Sequence, residues 1–354
     1  MKHIWNEETL IISLSGHVDS SNAPDIENEL RDVIADKHPE NIIIDAESLD
    51  YISSAGLRLV LKLRKGCGAL SIINVNPDVY GVLEMTGFTE MMDVSKTYRK
   101  ISVEGCEAVG CGANGIVYRI DNDNVVKVYY NPDALDDIHR EREVAKLALI
   151  LGVPTAISYE IVRVGESYGS VFELLHSKSF SKILAEDPNN MDWCVREYVE
   201  MLKLIHSTEV PEGKLPDMRE TVVSWAEFMK EHLPQESGDK LMSLVEAVPK
   251  DNHMIHGDYH SKNLVLQDDE VLLIDMDTLA VGYPVFELAS IYNAYIGFYE
   301  LDPDGVKEFQ GFSYEVSCKF WNRVLKAYLG TEDEELVRSV EDKARIIGYT
   351  RLIR

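Results

Sequence analysis

The densest concentration of groups able to do chemistry is Ile255-His-Gly-Asp-Tyr-His-Ser-Lys-Asn-Leu-Val265, followed by Val271-Leu-Leu-Ile-Asp-Met-Asp277. Asp258 can accept the proton of a hydroxyl or orient that hydroxyl for in-line attack. Asn263 offers a neutral amide oxygen to a magnesium ion. Asp275, after the apolar strand Leu272-Leu-Ile274, offers a carboxylate to a metal that bridges phosphates. A loop–strand–turn–strand–turn order brings all three to one mouth. His256 and His260 make a His-x-x-x-His pair with no helix beneath it to set zinc geometry, so bracing and substrate contact fit them better than metal binding. Asp277 could touch the metal, but it reads as a turn-capping residue and is left out of the ligand set.

A second cluster lies upstream. Val109-Gly-Cys-Gly-Ala-Asn-Gly-Ile-Val-Tyr118 places Gly110, Gly112 and Gly115 in a G-x-G-x-x-G-x-V pattern. Glycines let the backbone of a hairpin close over phosphates where side chains would collide. The glycines lead into a strand, Ile116 to Ile120, and not into a helix, which argues against a dinucleotide-binding turn. The next strand, Asn124 to Tyr129, carries Lys127 between apolar neighbours, and pairing with nucleotide phosphates would explain it. A helix over 137–151 follows, with Glu141 and Glu143 near its start, and one acidic residue there would hold Lys127. Glu143 is preferred from the Arg142-Glu143 order and its distance to Gly152-Val-Pro154, with Glu141 as the alternative.

Together these motifs resemble the aminoglycoside phosphotransferase-like family, which includes choline and homoserine kinases. H-G-D-x-x-x-x-N and the I-D-x-D turn stand where protein kinases have H-R-D and D-F-G. The resemblance runs over residues 103–354. It implies an α+β two-lobed, protein-kinase-like domain over 100–354, divided near residue 175, that uses ATP and Mg2+ to phosphorylate an alcohol. It also implies a hinge at the end of Gly169-Ser-Val-Phe-Glu-Leu-Leu175, where the backbone of Glu173 and Leu175 would read the adenine edge before the polar connector His176 to Ser179. Gly282-Tyr-Pro-Val-Phe-Glu-Leu-Ala289 matches a segment in which relatives read F-D-L-A, so Glu287 is expected to brace the catalytic loop. Helices expected near 192–206, 218–231, 237–247, 305–330 and 333–350 would complete the C-lobe, their aromatics mostly core.

The first hundred residues alternate short apolar strands (Leu10 to Leu14, Asn41 to Ala46, Leu70 to Val75) with helices, which gives an α/β layer. One helix spans Ser54 to Lys65 and stops at Gly66, and another starts near Pro77. The stretch Leu49-Asp-Tyr-Ile-Ser-Ser-Ala-Gly-Leu-Arg-Leu59, with Gly16-His-Val-Asp19 and Gly87-Phe-Thr-Glu90, resembles the STAS family of anti-sigma-factor antagonists. That resemblance covers 1–99 and implies a regulatory domain with Ser54 on the position that a partner kinase phosphorylates. Ser53 stands where family members often have aspartate. A phosphate on Ser54 would meet free amides at a helix start, and a plain N-cap is the other reading of this serine.

With 35 basic and 61 acidic residues the formal charge is −26, which disfavours nucleic acid and anionic membranes. Five cysteines without a C-x-x-C pair point away from a disulfide framework or a zinc site. No apolar leader or membrane-length run is visible, so a cytoplasmic protein is expected. Three arrangements fit the pairing of units: a small-molecule kinase with a STAS unit that regulates it or docks a signalling partner, a protein kinase acting on a STAS serine such as Ser54, and a nucleotide-binding scaffold.

Overall fold

A computed structural model describes residues 1–354 except Asp36, His176 and Arg354. The chain divides into two compact units, Met1–Ile101 and Ser102–Arg354.

In the first unit, β1 (Lys2–Asn6) and β2 (Thr9–Val18) form a hairpin, then α1 (Ala23–Ala35), β3 (Asn41–Ile52), α2 (Ser54–Lys65), β4 (Ala69–Val75), α3 (Pro77–Met85), α4 (Phe88–Met91), β5 (Asp93–Lys96) and a short strand β6 (Arg99–Ile101) follow. The sheet runs β1-β2-β3-β4-β5. Only the β1–β2 pair is antiparallel, because a hairpin can close over two residues while parallel neighbours need a helical crossover. Leu10, Ile12, Ile42, Ile44 and Ile72 point to one core with Leu30, Leu59 and Leu83 of the helices. The apolar runs mark the three central strands. The edge strands β1 and β5 lack such a run and are not evident from sequence.

The second unit opens with β7 (Ala108–Cys111), β8 (Gly115–Arg119), β9 (Asn124–Tyr129), α5 (Leu135–Ile150), β10 (Glu160–Val164) and β11 (Ser167–Glu173). These strands form an antiparallel sheet in the order β10-β11-β9-β8-β7. The helical part contains β12 (Lys178–Ser179), α6 (Phe180–Glu186), α7 (Met191–Ser207), α8 (Met218–Lys230), α9 (Gln235–Glu246), β13 (Met254–Ile255), the hairpin β14 (Leu264–Gln267) and β15 (Glu270–Leu273), β16 (Ala280–Val281) and α10 (Pro284–Tyr292). A π-helical turn, Asn293–Gly297, leads to α11 (Phe298–Leu301), α12 (Gly305–Gln310), α13 (Tyr314–Leu329) and α14 (Glu334–Leu352). The single helix expected over 305–330 is broken in two at Gly311, whose φ of 80° no helix interior accepts. Apolar α10 is buried along its length, so it lacks the one-sided stripe by which sequence marks a surface helix.

Tyr198 of α7 and Tyr259 of the loop after β13 exchange hydrogen bonds, each hydroxyl donating to the other's carbonyl at 3.1 and 2.7 Å. Both rings are fully buried with Phe320 and Trp321, so the loop is anchored in the centre of the largest core. No helix among the described residues is long and apolar enough to cross a membrane.

Candidate active site

The loop between β13 and β14 carries Asp258, and it is held from beneath by one carboxylate. Glu287 in the first turn of α10 is fully buried and accepts the backbone amides of His256 and Gly257, the latter at 3.1 Å. Burial pushes the Glu287 carboxyl up to about 7, against the downward pull of the loop amides. Gly257 has a φ of 79°, and a Cβ there would lie 2.6 Å from the Thr278 carbonyl oxygen, so only glycine lets the loop pass over the following turn. His256 Nδ1 accepts the Asp258 amide at 3.3 Å, which leaves Nε2 to donate to the Ile274 carbonyl at 3.2 Å. Burial holds this ring's pKa below its ordinary value, and its role is to tie the loop to the end of β15.

Both oxygens of Asp258 have a neighbour. His260 Nε2 is 3.3 Å from Oδ2 and Arg351 Nη2 of α14 is 3.4 Å from Oδ1. Burial alone would raise the Asp258 carboxyl, but His260, Arg351 and His256 outweigh it and hold it at about 2. The group is therefore a carboxylate at neutral pH, better suited to orienting a hydroxyl and taking its proton late than to acting as a strong base. Asn263 donates its amide nitrogen to the Asp258 carbonyl at 3.0 Å, which leaves its side-chain oxygen for a cation. Asp275, after β15, has a left-handed backbone (φ 63°, ψ 67°), a strained conformation for a residue with a side chain. No group of three or more His, Cys, Asp and Glu poised for a metal occurs among the described residues.

Lys127 connects the sheet to the turn at Asp275. Its ammonium lies 3.0 Å from Glu141 Oε1 and 3.2 Å from Asp275 Oδ1, and Tyr129 donates to the same glutamate at 2.8 Å. Burial would lower the lysine's pKa, but Glu141 and Asp275 reverse the shift and keep it charged. Glu143, preferred from sequence as the partner of Lys127, is not its partner. It is exposed and pairs with Lys146 at 3.0 Å. Two residues along a helix turn the side chain by roughly 200°, so only one of the two glutamates can face β9. Ile138, Ala145 and Ala148 are the buried positions of α5, and Glu141 falls on their stripe at helical spacing. That spacing is the signal that separates them.

The three glycines have different surroundings. A Cβ on Gly115 would lie 2.2 Å from the Val128 carbonyl oxygen, so its absence lets β8 approach β9. A Cβ on Gly112 would meet nothing within 4 Å, and one on Gly110 only an ordinary contact at 3.6 Å from Val117. The fold requires Gly115, while the openness at Gly112 leaves room for a ligand. Asn114 at the hairpin tip donates to Asp277 Oδ2 at 2.9 Å, spanning from the sheet to the turn after β15. Burial, then Asp275, pushes the Asp277 carboxyl up to about 6. Neither this contact nor that of Arg351 leaves a mark in sequence, since each joins residues far apart along the chain.

At the end of β11 the Leu174 amide is taken by the Asp123 carbonyl at 2.7 Å. In extended chain, backbone groups alternate sides, so the Glu173 carbonyl and the Leu175 amide face the other edge. There the neighbouring β10 has already ended, with Glu160 opposite Val171. His176, in the connector that follows, lies outside the described residues.

In the first unit, the N-cap of α2 is Ser53, whose hydroxyl accepts the Ala55 amide at 3.1 Å. Ser54 is the first helical residue and is exposed, so the helix-cap reading of Ser54 passes to its neighbour.

Residues 106–314 match the family model described as the phosphotransferase enzyme family, and residues 4–102 match that of the STAS domain. The chain is 40% identical over 92 residues to the putative anti-sigma factor antagonist BtrV of Bordetella bronchiseptica, covering 25% of this chain and 78% of that protein. It is 30% identical over 90 residues to an anti-sigma F factor antagonist of Paenibacillus polymyxa, covering 24% and 76%. Among solved structures, a thermostable aminoglycoside phosphotransferase APH(4)-Ia with ADP and hygromycin B is similar at a TM-score of 0.44 and 13% identity, over 70% of this chain and 96% of that one. The streptomycin–ATP–APH(2")-IIa complex is similar at 0.45 and 14%, over 75% and 88%.

Proposed function

Because this chain belongs to the phosphotransferase enzyme family and carries a STAS domain over residues 4–102, we propose that it transfers the γ-phosphate of ATP, with Mg2+, to a hydroxyl of a small molecule, under regulation or partner docking by the STAS unit. The observation that carries this reading is the position of Lys127, whose ammonium contacts both Glu141 and Asp275 and so draws the strand, the helix and the metal turn to one point. In this reading the hairpin from Gly110 to Gly115 covers the phosphates, and Lys127 pairs with them. The Glu173 carbonyl and the Leu175 amide receive the adenine edge. Asn263 and Asp275 hold the magnesium, which when bound supplies charge neutralisation across the phosphate oxygens. Asp258 orients the acceptor hydroxyl and takes its proton as the new bond forms.

The test is ATP consumption in the presence of magnesium with a panel of hydroxylated metabolites. Asp258→Asn is expected to lower turnover by roughly 10²–10⁴-fold, the usual share of a general base, while melting temperature stays near that of the parent protein. Turnover that survives the substitution would remove Asp258 from its role.

A second reading has one specific observation in its favour. Ser53 performs the capping, so the exposed Ser54 hydroxyl at a helix N-terminus is open to modification, and a phosphate there would be favoured by the helix dipole. Intact mass after incubation with magnesium and ATP decides it: one added phosphate that Ser54→Ala abolishes would support protein kinase activity, and an unchanged mass would dismiss it.

A further inference from the structure

The charge of the acceptor can be read from the wall beside Asp258. A small recess, with room for about one water, opens there between α8, α10 and α14, with Met218, Trp225, Phe286 and Ile347 as apolar walls and Ser290, Asn293 and Arg351 as polar groups. None of the described residues that line it is acidic, although the whole chain carries a formal charge of −26. The carboxylates nearest the chemistry already have partners: Asp258 has His260 and Arg351, Asp275 has Lys127, and Asp277 has Asn114.

Arg351 is fixed in place mainly through one nitrogen. Nη1 donates to the Gly257 carbonyl at 2.8 Å and to Ser290 Oγ at 3.0 Å, and Ser290 itself donates to the Gly257 carbonyl at 3.1 Å. Nη2 lies 3.4 Å from Asp258, longer than a tight charge-assisted bond. A guanidinium has five N–H groups, so Nε and one hydrogen of Nη2 have no partner among the described residues, and the side chain is 37% exposed. A fixed, partly exposed guanidinium beside the hydroxyl-orienting carboxylate would repel a cationic acceptor and bind an anionic oxygen group.

We infer that Arg351 is a specificity-determining residue and that it selects an acceptor that carries a carboxylate or phosphate ester near its hydroxyl, rather than a polycation. This rests on the phosphotransferase reading, with Asp258 facing the acceptor hydroxyl.

A matched series that differs only in charge tests it: 3-phenyllactate (anion), 3-phenylpropane-1,2-diol (neutral) and phenylalaninol (cation), titrated calorimetrically into the full chain with Mg·ADP. Glycerol 3-phosphate forms the phosphate-ester arm, and kanamycin the polycation arm. The expected result is that phenyllactate or glycerol 3-phosphate binds roughly tenfold or more tightly than the diol, the usual scale of a charged hydrogen bond, and that phenylalaninol binds weakest. Whichever anion binds more tightly identifies carboxylate or phosphate as the group read. Arg351→Met should bring the three matched compounds within about threefold of one another. Tighter binding of phenylalaninol or kanamycin, no binding by either anion, or an anion preference that persists in Arg351→Met would overturn the inference. The comparison on the unmodified protein decides the sign even if the variant folds poorly. Failure to bind Mg·ADP, measured in the same titrations, would strike at the phosphotransferase reading and leave the charge preference standing.

Discussion

The Asp258 loop and the glycine-rich hairpin, to which the proposed reaction assigns the acceptor and the phosphates, are built in opposite ways. Around Asp258 the loop is tied to the fold at several points: Glu287 holds the loop amides, His256 joins the loop to β15, and Tyr259 is bonded to α7. The hairpin between β7 and β8 has one bond from its tip to Asp277 and open space at Gly112. In the proposed reaction, the loop that would hold the acceptor is preorganised by the fold, whereas the hairpin that would admit a nucleotide leaves its contacts to be made by the ligand.

This contrast predicts where substitutions act. The largest effect should come from Glu287→Ala, which strands buried amides of the catalytic loop; a loss of about 3 kcal/mol or more in denaturant unfolding is expected, with activity falling alongside. The same residue gives a pH signature. Its carboxyl is raised from an ordinary 4.5 to about 7, so its contribution is full below 4.5 and is lost as pH rises through 7. Glu287→Gln should flatten that part of the stability–pH curve, and an unchanged slope would mean the carboxylate is accommodated as an ion.

Next in size is Gly115→Ala, where the added methyl meets the Val128 carbonyl; a loss of roughly 1–3 kcal/mol is expected. Gly112→Ala should leave stability within about 0.5 kcal/mol yet raise the KM for ATP. Equal behaviour of the two glycines would break the contrast between fold-required and ligand-required positions. Glu141→Gln should lower turnover on the order of tenfold, and Glu143→Gln, changing only an exposed ion pair, should stay within about twofold. A larger effect at Glu143 would reverse the assignment of the Lys127 partner.

Much of the candidate site could be placed from sequence because its parts are close along the chain. Asp258, Asn263 and Asp275 fall in one short stretch whose loop-and-strand order fixes their common direction. Glu141 was present as the alternative, and the buried stripe through Ile138, Ala145 and Ala148 would have selected it over Glu143. The contacts of Asn114 with Asp277 and of Arg351 with Asp258 join residues 163 and 93 positions apart, and no local pattern encodes such meetings. In the fold, central strands declared themselves by apolar runs. The edge strands and α10 did not, the first for lack of a run and the second because burial on all sides erases periodicity. Ser53 and Ser54 could not be told apart by composition, since either serine can cap and only the backbone angles at Ser53 show which does.

Arg351 also bears on how the protein is made. It follows Asp258 by 93 residues, which at about 5–20 residues per second is roughly five to twenty seconds of synthesis. Throughout that interval the Asp258 carboxylate exists without the guanidinium that flanks it in the finished fold. A chain still growing on the ribosome thus holds the Asp258 loop without the bonds that the last turn of α14 later brings to it.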